Sequence, residues 1–240
     1  LRPEIIRSYP EGEAIAAQIL GFVGADGEGK YGVEAVYDEL LKGVSGQTSS
    51  KKNSFGQLID ILGIKESLSG QDLVLSIDYN LQFQVENSLK KALDSYKADS
   101  GSIIVMDPKT GSVLALASQP TFDPNNFSKL RGDEQNRFLS KAASDVYEPG
   151  SIVKPLTMSM ALDQELITPE TTENFGGSVK VLDKVITNAE NKIFGRETMS
   201  QVLENSDNIA LVWLSEKIGK EKEYEYFKKF GFGEKSGIDL

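Results

Sequence analysis

Two short apolar runs on either side of a turn sequence constrain the fold of this 240-residue chain more than any other feature. Residues 102–106 and 112–117 have the composition of strands, and Asp107-Pro-Lys-Thr-Gly111 places Pro108 and Gly111 where a reverse turn requires them. The sequence therefore predicts an antiparallel hairpin at this point.

Helical patterns surround the predicted hairpin. A strand is predicted at 73–77, and Asp78 can cap a helix that follows it. One face of that helix carries Leu81, Val85, Leu89, Ala92, Leu93 and Tyr96. Further helices are predicted at 151–165, 197–204, 208–217 and 220–229, with a break at Ser206. A hairpin among many helices indicates an α+β fold, with an antiparallel sheet packed against helices.

The first part of the chain has a different texture. Glycines punctuate predicted helices at 13–22 and 33–41, and the polar stretch 46–54 is predicted to be a loop or linker. The pattern changes near Asp72. We therefore expect two regions, 1–71 and 72–240.

Composition excludes several classes of function. The net charge is −10, which disfavours nucleic acid as a partner. The sequence contains no cysteine and no histidine, so a disulfide framework, a Cys/His zinc site and a Ser-His-Asp triad within this chain are all excluded. A nucleophile must then be Ser, Thr, Lys, Tyr or a carboxylate, with lysine or a carboxylate as its base.

The pattern S-x-x-K occurs three times, and one copy is placed for chemistry. Ser151-Ile-Val-Lys154 follows the turn Glu148-Pro-Gly150, where a helix is predicted to begin. The unpaired N–H groups and the dipole of a helix start favour negative charge on a carbonyl oxygen that Ser151 attacks. Lys154 lies one turn away, and its apolar neighbours at 152–153 and 155–156 could lower its pKa by burial. Alone, the motif is more typical of a capping serine and a surface lysine.

A second motif, Ser206-Asp-Asn208, falls at the predicted break between two helices. Its hydroxyl can pass a proton, and the amide of Asn208 can hold a peptide-like substrate. On its own this tripeptide is also more typical of a helix cap. The two motifs in this order are characteristic of active-site serine acyl transfer.

Other motif-like sequences are interpreted as turns. Residues 24–30 match a phosphate-binding loop up to Lys30, but Tyr31 stands where a Mg²⁺-binding hydroxyl is required. Lys109-Thr-Gly111 precedes the serine and belongs to the predicted hairpin turn.

These motifs, with others along the chain, resemble the class B, monofunctional penicillin-binding proteins. The resemblance runs through Arg7-Ser-Tyr-Pro-Glu-Gly12, Ser76-Ile-Asp78, Phe122-Asp-Pro-Asn125, Tyr147-Glu-Pro-Gly-Ser151 and Phe230-Gly-Phe-Gly233. It implies a penicillin-binding/β-lactamase-like transpeptidase domain at 72–240, preceded by part of a pedestal region at 1–71.

The resemblance also implies a peptidoglycan D,D-transpeptidase that acts on D-Ala-D-Ala stem peptides and is inhibited by penicillin and other β-lactams. Ser151 would be the nucleophile, Lys154 its base, Ser206 a proton relay and Asn208 a substrate-binding residue. The family uses no metal and no cofactor.

The family's setting is implied as well. The resemblance implies stem peptides carried by a lipid-linked precursor as substrates and cell-wall synthesis or division proteins as partners. It also implies a position on the outer face of the cytoplasmic membrane. The family's membrane helix would precede Leu1, and its third motif would follow Gly237-Ile-Asp-Leu240. We therefore expect the 240 residues alone to be catalytically incomplete.

Two alternatives stay open from the sequence. A β-lactamase or β-lactam sensor on the same fold would use the same Ser206-Asp-Asn208 triplet, although region 1–71 argues against a small lactamase. A non-catalytic scaffold would fit the lack of a third motif.

Overall fold

The computed structural model describes residues 7–10, 15–44, 46–52 and 58–240. The chain divides into two compact units, one of residues up to Asp145 together with Ile238–Leu240, the other of Val146–Gly237. Among the described residues, helices and two-stranded antiparallel sheets alternate along the chain, which confirms the predicted α+β class.

The first unit contains five α-helices and six strands among its described residues. The helices are α1 (Ala17–Leu20), α2 (Gly32–Val36), α3 (Asp38–Leu41), α4 (Tyr79–Tyr96) and α5 (Lys141–Ser144). The strands are β1 (Phe22–Val23), β2 (Gly29–Lys30), β3 (Gln47–Lys52), β4 (Leu58–Lys65), β5 (Gly101–Met106) and β6 (Val113–Gln119). Two 3₁₀ helices follow, at Pro124–Lys129 and Gly132–Phe138.

The predicted hairpin and the helix before it are confirmed. Strands β5 and β6 pair antiparallel, and the Asp78 side chain accepts from the Leu81 N–H at 2.8 Å to cap α4. Val85 and Leu89 of α4 pack on the β6 alanines in a small apolar core. Tyr96, predicted on the same face, is exposed in the last turn of the helix. Because β5 begins opposite Leu89 and Leu93, that last turn extends past the strand.

Four predictions of local structure are wrong. Residues 73–77 are extended with alternating burial but form no strand. The Ser76 hydroxyl bonds to the Val113 carbonyl and the Asp78 N–H to the Leu114 carbonyl, and these two contacts do not make a strand of 73–77. The polar stretch at 46–52 contains strand β3, because pairing with β4 supplies backbone partners that composition does not reveal; residues 53 and 54 lie outside the described residues.

The predicted N-terminal helices are shorter than their patterns indicated. The helix predicted at 13–22 is described only from residue 15 onward, where α1 covers Ala17–Leu20 and ends at Gly21. The helix predicted at 33–41 is interrupted at Tyr37, whose φ of −109° is not helical, and so becomes α2 and α3.

The phosphate-loop-like sequence is a turn, as predicted. Strands β1 and β2 flank it, and the Gly24 N–H donates to the Glu28 carbonyl. The Lys30 ammonium pairs with Asp26 and Glu28, both at 2.9 Å. The Lys30 ammonium is therefore ion-paired with acidic residues of its own turn.

The second unit holds four α-helices and four strands. The helices are α6 (Lys154–Asp163), α7 (Met199–Asn205), α8 (Asn208–Ile218) and α9 (Lys220–Lys229). The strands are β7 (Thr172–Phe175), β8 (Ser178–Val181), β9 (Lys184–Thr187) and β10 (Gly195–Thr198); β7 pairs with β10 and β8 with β9. Met160, Met199, Val202 and Leu214 are fully buried in one apolar core that joins α6, α7 and α8. This core fixes the helix ends that carry both sequence motifs.

Candidate active site

Ser151 lies in a single 3₁₀ turn, Gly150–Val153, that leads directly into α6. Gly150 has φ of 63°, a left-handed conformation that glycine adopts without the steric cost of a side chain. Ser151, the residue after Gly150 in this turn, is exposed. The helix was predicted to begin at Ser151, whereas α-helical geometry begins at Lys154.

Lys154, the first residue of α6, is half-buried and connects the two motifs. Its Nζ donates to the Ser206 Oγ at 2.8 Å, to the Ser206 carbonyl at 2.6 Å and to the Asn208 Oδ1 at 2.6 Å. The Ser206 hydroxyl in turn donates to the Ser151 Oγ at 3.1 Å. The four predicted site residues therefore form one connected cluster.

The route from Lys154 to Ser151 differs from the sequence-based expectation. Lys154 was expected within reach of the serine one turn away, but among the hydrogen bonds of the described residues its link to Ser151 runs through Ser206. Ile152 and Pro155, expected to bury the ammonium, are exposed. Polar groups of the second motif surround the ammonium instead.

Burial lowers the pKa of Lys154 below its ordinary value of 10.5, and the charge of Asp207 opposes this shift by raising it. The direction is the one that a lysine needs in order to act as a base. Its three acceptors fix the position of the ammonium.

The break between α7 and α8 positions the second motif. Ser206 follows the end of α7 with φ of 56° and ψ of 45°, a left-handed conformation that is uncommon for a residue other than glycine. Asp207 then caps α8, its carboxylate accepting from the Ala210 N–H at 2.8 Å. The tripeptide therefore caps a helix through Asp207, as anticipated, and also supplies Ser206 and Asn208 to the cluster.

Asn208 is held from strand β9 and the residue after it. Its Nδ2 donates to the Thr187 carbonyl at 2.8 Å, and its backbone N–H donates to the Asn188 Oδ1 at 2.7 Å. Asn188 also donates to Asp207 at 3.1 Å. Sequence reasoning missed Thr187 and Asn188, because one acts through its backbone and the other lies in a loop without a motif.

A serine hydroxyl hydrogen-bonded to a second hydroxyl that contacts a lysine of lowered pKa is equipped for nucleophilic attack with proton transfer. No group of three or more acidic side chains suited to a metal ion occurs in the described part of the chain. The order of the two motifs is characteristic of the active-site serine acyl transferases.

Comparison with known families and structures agrees with this class. Residues 101–240, more than half of the chain, match the penicillin-binding protein transpeptidase domain, and residues 1–75 match the penicillin-binding protein dimerisation domain. The crystal structure of penicillin-binding protein 3 from Mycobacterium tuberculosis superposes with a TM-score of 0.83 at 30% identity, over 98% of this chain and 49% of that one. The same protein complexed with ampicillin gives a TM-score of 0.82 at 30% identity, over 97% of this chain and 48% of that one. The chain belongs to the penicillin-binding protein transpeptidase family.

Curated relatives share this assignment. Stage V sporulation protein D of Bacillus subtilis is 33% identical over 98% of this chain and 36% of its own length. Peptidoglycan D,D-transpeptidase FtsI of Escherichia coli K12 is 32% identical over 100% of this chain and 40% of its own length. The chain thus spans well under half the length of these relatives. Among the described residues, none of the helices is both long and apolar enough to cross a membrane.

Proposed function

We propose that this chain carries the nucleophile half of a peptidoglycan D,D-transpeptidase that cross-links D-Ala-D-Ala stem peptides through a serine acyl-enzyme. The observation that supports this most directly is the Lys154 ammonium, which bonds to Ser206 and Asn208, 52 and 54 residues further along the chain. Each motif is typical of a helix cap in isolation, but here the lysine of the first motif donates hydrogen bonds to two residues of the second.

The proposed reaction begins with attack by the Ser151 Oγ on the carbonyl carbon of the penultimate D-Ala. Neutral Lys154 takes the hydroxyl proton, and the Ser206 hydroxyl lies between the two groups as a relay. The new ester bond forms as the C–N bond to the terminal D-Ala breaks, and the departing amine receives the proton through Ser206. An amine of a neighbouring stem then attacks the ester carbonyl: the cross-linking amide bond forms, the ester C–O bond to Ser151 breaks, and the Ser151 Oγ takes up the proton that the amine loses.

Asn208 is proposed to bind the substrate backbone. Its Oδ1 faces Lys154 and one Nδ2 hydrogen faces Thr187. A side-chain amide has two N–H groups, so the second can donate to a peptide carbonyl. The bonds to Lys154 and Thr187 fix the orientation of the amide before substrate arrives.

We also propose β-lactams as ligands that acylate Ser151, because the Mycobacterium tuberculosis relative has been crystallised with ampicillin and aztreonam. The family matches at 1–75 and 101–240 support a division into pedestal residues 1–71 and transpeptidase residues 72–240. By the same family relationship, we place the protein in cell-wall synthesis at the outer face of the membrane, with cell-wall or division proteins as partners.

The test is exchange of the terminal D-Ala of a stem pentapeptide for a labelled D-amino acid. It is carried out on the full-length protein that contains these residues, referred to below as the extended chain. We expect exchange in the unsubstituted chain, loss in Ser151→Ala, and full retention in Ser88→Ala, which alters another S-x-x-K motif on an exposed position of α4.

Two other outcomes would replace the proposal. Rapid turnover of penicillin without D-amino acid exchange would indicate a β-lactamase. A folded extended chain that neither exchanges D-Ala nor forms a penicillin adduct would indicate a non-catalytic scaffold.

A further inference from the structure

Two buried acidic side chains lie behind the proposed site and outside its proton path. Glu197 of β10 is 3% exposed, and Asp207 of the second motif is 0% exposed. An ionised carboxylate at such depth is costly unless its oxygens receive hydrogen bonds. The pattern of donors around the two groups therefore reports on their protonation.

The Asp207 carboxylate is satisfied at both oxygens. Its Oδ1 accepts from the Ala210 N–H at 2.8 Å, and its Oδ2 accepts from the Asn188 Nδ2 at 3.1 Å. Glu197 is satisfied at one oxygen only: Oε1 accepts from the Asn205 Nδ2 at 2.5 Å. Within the described residues, the buried Oε2 of Glu197 has no donor.

Asp207 nevertheless acts on Glu197: its charge and a side-chain hydrogen bond to it both raise the pKa of Glu197. Two ionised carboxylates can only accept, so no hydrogen bond can form between them without a proton. A proton on Glu197 would satisfy its orphaned oxygen and also give Asp207 another donor.

We propose that Glu197 is a positioning residue that stays protonated and donates a hydrogen bond to Asp207, so that the buried pair carries one negative charge behind Lys154. The proton belongs on Glu197 because both oxygens of Asp207 already accept from N–H groups, whereas the buried Oε2 of Glu197 has no donor among the described residues. Protonated carboxylic acids of this kind occur at functional sites with apolar surroundings.

The charges around the pair support this arrangement. Burial raises the pKa of Glu197, and the Asp207 charge raises it further against the lowering effect of Asn205. Glu173, opposite Glu197 in the β7–β10 ladder, is exposed. Among the described titratable groups, Asp207 is the one whose charge acts on Lys154.

The pair also fixes the geometry of the site. Asn188 links Asp207 to the backbone N–H of Asn208, and Asn208 accepts from Lys154. A single charge on the pair would hold this chain of bonds in place, and it would limit how far the Asp207 field raises the pKa of Lys154. The inference about the base rests on the proposed function, whereas the inference about the Glu197 proton does not.

The proton is tested by infrared spectroscopy of this chain with ¹³C-carboxyl-labelled glutamate at pH 7. Exposed glutamates are ionised at that pH, so the proposal predicts one carboxylic acid C=O band in the unsubstituted protein. Glu197→Gln should remove the band, and the matched change Glu173→Gln on the opposite strand should keep it. A spectrum of the unsubstituted protein with carboxylate bands only would overturn the proposal, even if Glu197→Gln does not fold.

The positioning role is tested by the pH dependence of penicillin acylation in the extended chain. Glu197→Leu, which cannot donate to Asp207, should slow acylation about tenfold, the effect of losing one hydrogen bond to a charged group. Glu197→Gln, whose amide can donate, should restore most of that rate. It should also leave unchanged the acid limb, which is the low-pH side of the pH–rate profile where the rate rises as Lys154 loses its proton. Asp207→Asn removes the charge that raises the pKa of Lys154 and should therefore move the acid limb to lower pH.

An acid limb that moves in Glu197→Gln as far as in Asp207→Asn would mean that Glu197 is ionised, and the proposal would be wrong. If the unsubstituted extended chain does not acylate at all, the proposed function fails, while the infrared result still decides the state of Glu197.

Discussion

Ser206 combines a strained backbone with a hydroxyl at the centre of the proposed proton path, and two substitutions separate these properties. Its φ of 56° places it in the left-handed region, and its Oγ bridges Lys154 and Ser151 at 2.8 and 3.1 Å. Ser206→Ala and Ser206→Gly both remove the hydroxyl, but only glycine relieves the conformation. The two variants should lose the same activity and differ in stability.

The size of each effect follows from the geometry. A left-handed conformation costs a residue with a side chain about 1–2 kcal/mol, and the greater freedom of glycine in the unfolded chain offsets about 0.4–1 kcal/mol of that. Ser206→Gly should therefore be more stable than Ser206→Ala by about 0.5–1 kcal/mol, or roughly 1–4 °C in Tm for a chain of this size. Loss of the relay should slow acylation about 10²–10⁴-fold in both variants.

The assay pairs thermal unfolding of this chain with penicillin acylation of the extended chain. Leu182 is a matched control, because it is exposed in the turn between β8 and β9 with φ of 55°. Leu182→Gly should be more stable than Leu182→Ala, with acylation unchanged in both. If Ser206→Gly is less stable than Ser206→Ala, the strain argument is wrong; if either Ser206 variant acylates at the unsubstituted rate, the relay is wrong.

Three further predictions concern the base, the buried acid and the core. Lys154→Arg keeps a positive charge but cannot act as a base near neutral pH, so acylation of the extended chain should fall about 10²–10⁴-fold. In the unsubstituted protein the acylation rate should rise with pH, with a midpoint below 10.5. A rate that does not depend on pH would contradict a lysine base. Because burial raises the folded-state pKa of Glu197, the protonated form of this side chain stabilises the folded chain. This stability is fully present at pH values below the ordinary glutamate pKa of 4.5 and is lost as pH rises through the folded-state pKa. Urea unfolding from pH 4 to pH 8 should therefore show Glu197→Gln gaining stability relative to the unsubstituted chain, and parallel curves would refute the shift. Leu214→Ala in the fully buried core should cost about 2–5 kcal/mol in the same measurement, and a cost under about 1 kcal/mol would mean that α8 does not pack as described.

Features that depend on local chemistry could be predicted from the sequence. Asp78 caps α4 and Asp107 closes the hairpin turn through hydrogen bonds to residues two or three positions away. The break at Ser206 was predictable for the same reason, since a capping aspartate follows it directly. The predicted site serines, lysine and asparagine are brought together in the structure.

Features that depend on distant partners could not be predicted. Strand β3 is polar, and pairing with β4 rather than its own composition makes it a strand. Ile152 lies beside Lys154 in the sequence but faces solvent, because the 3₁₀ turn directs the lysine toward the second motif. A glutamate in a four-residue strand is typical of a surface, so the burial of Glu197 had no local signal.

The most direct test of the account is the site of covalent attachment of a fluorescent penicillin to the extended chain, found by intact mass and peptide mapping. The account predicts one adduct, on Ser151, that is absent in Ser151→Ala and retained in Ser88→Ala. An adduct on another residue, or none on a folded extended chain, would contradict the assignment of Ser151 as the nucleophile.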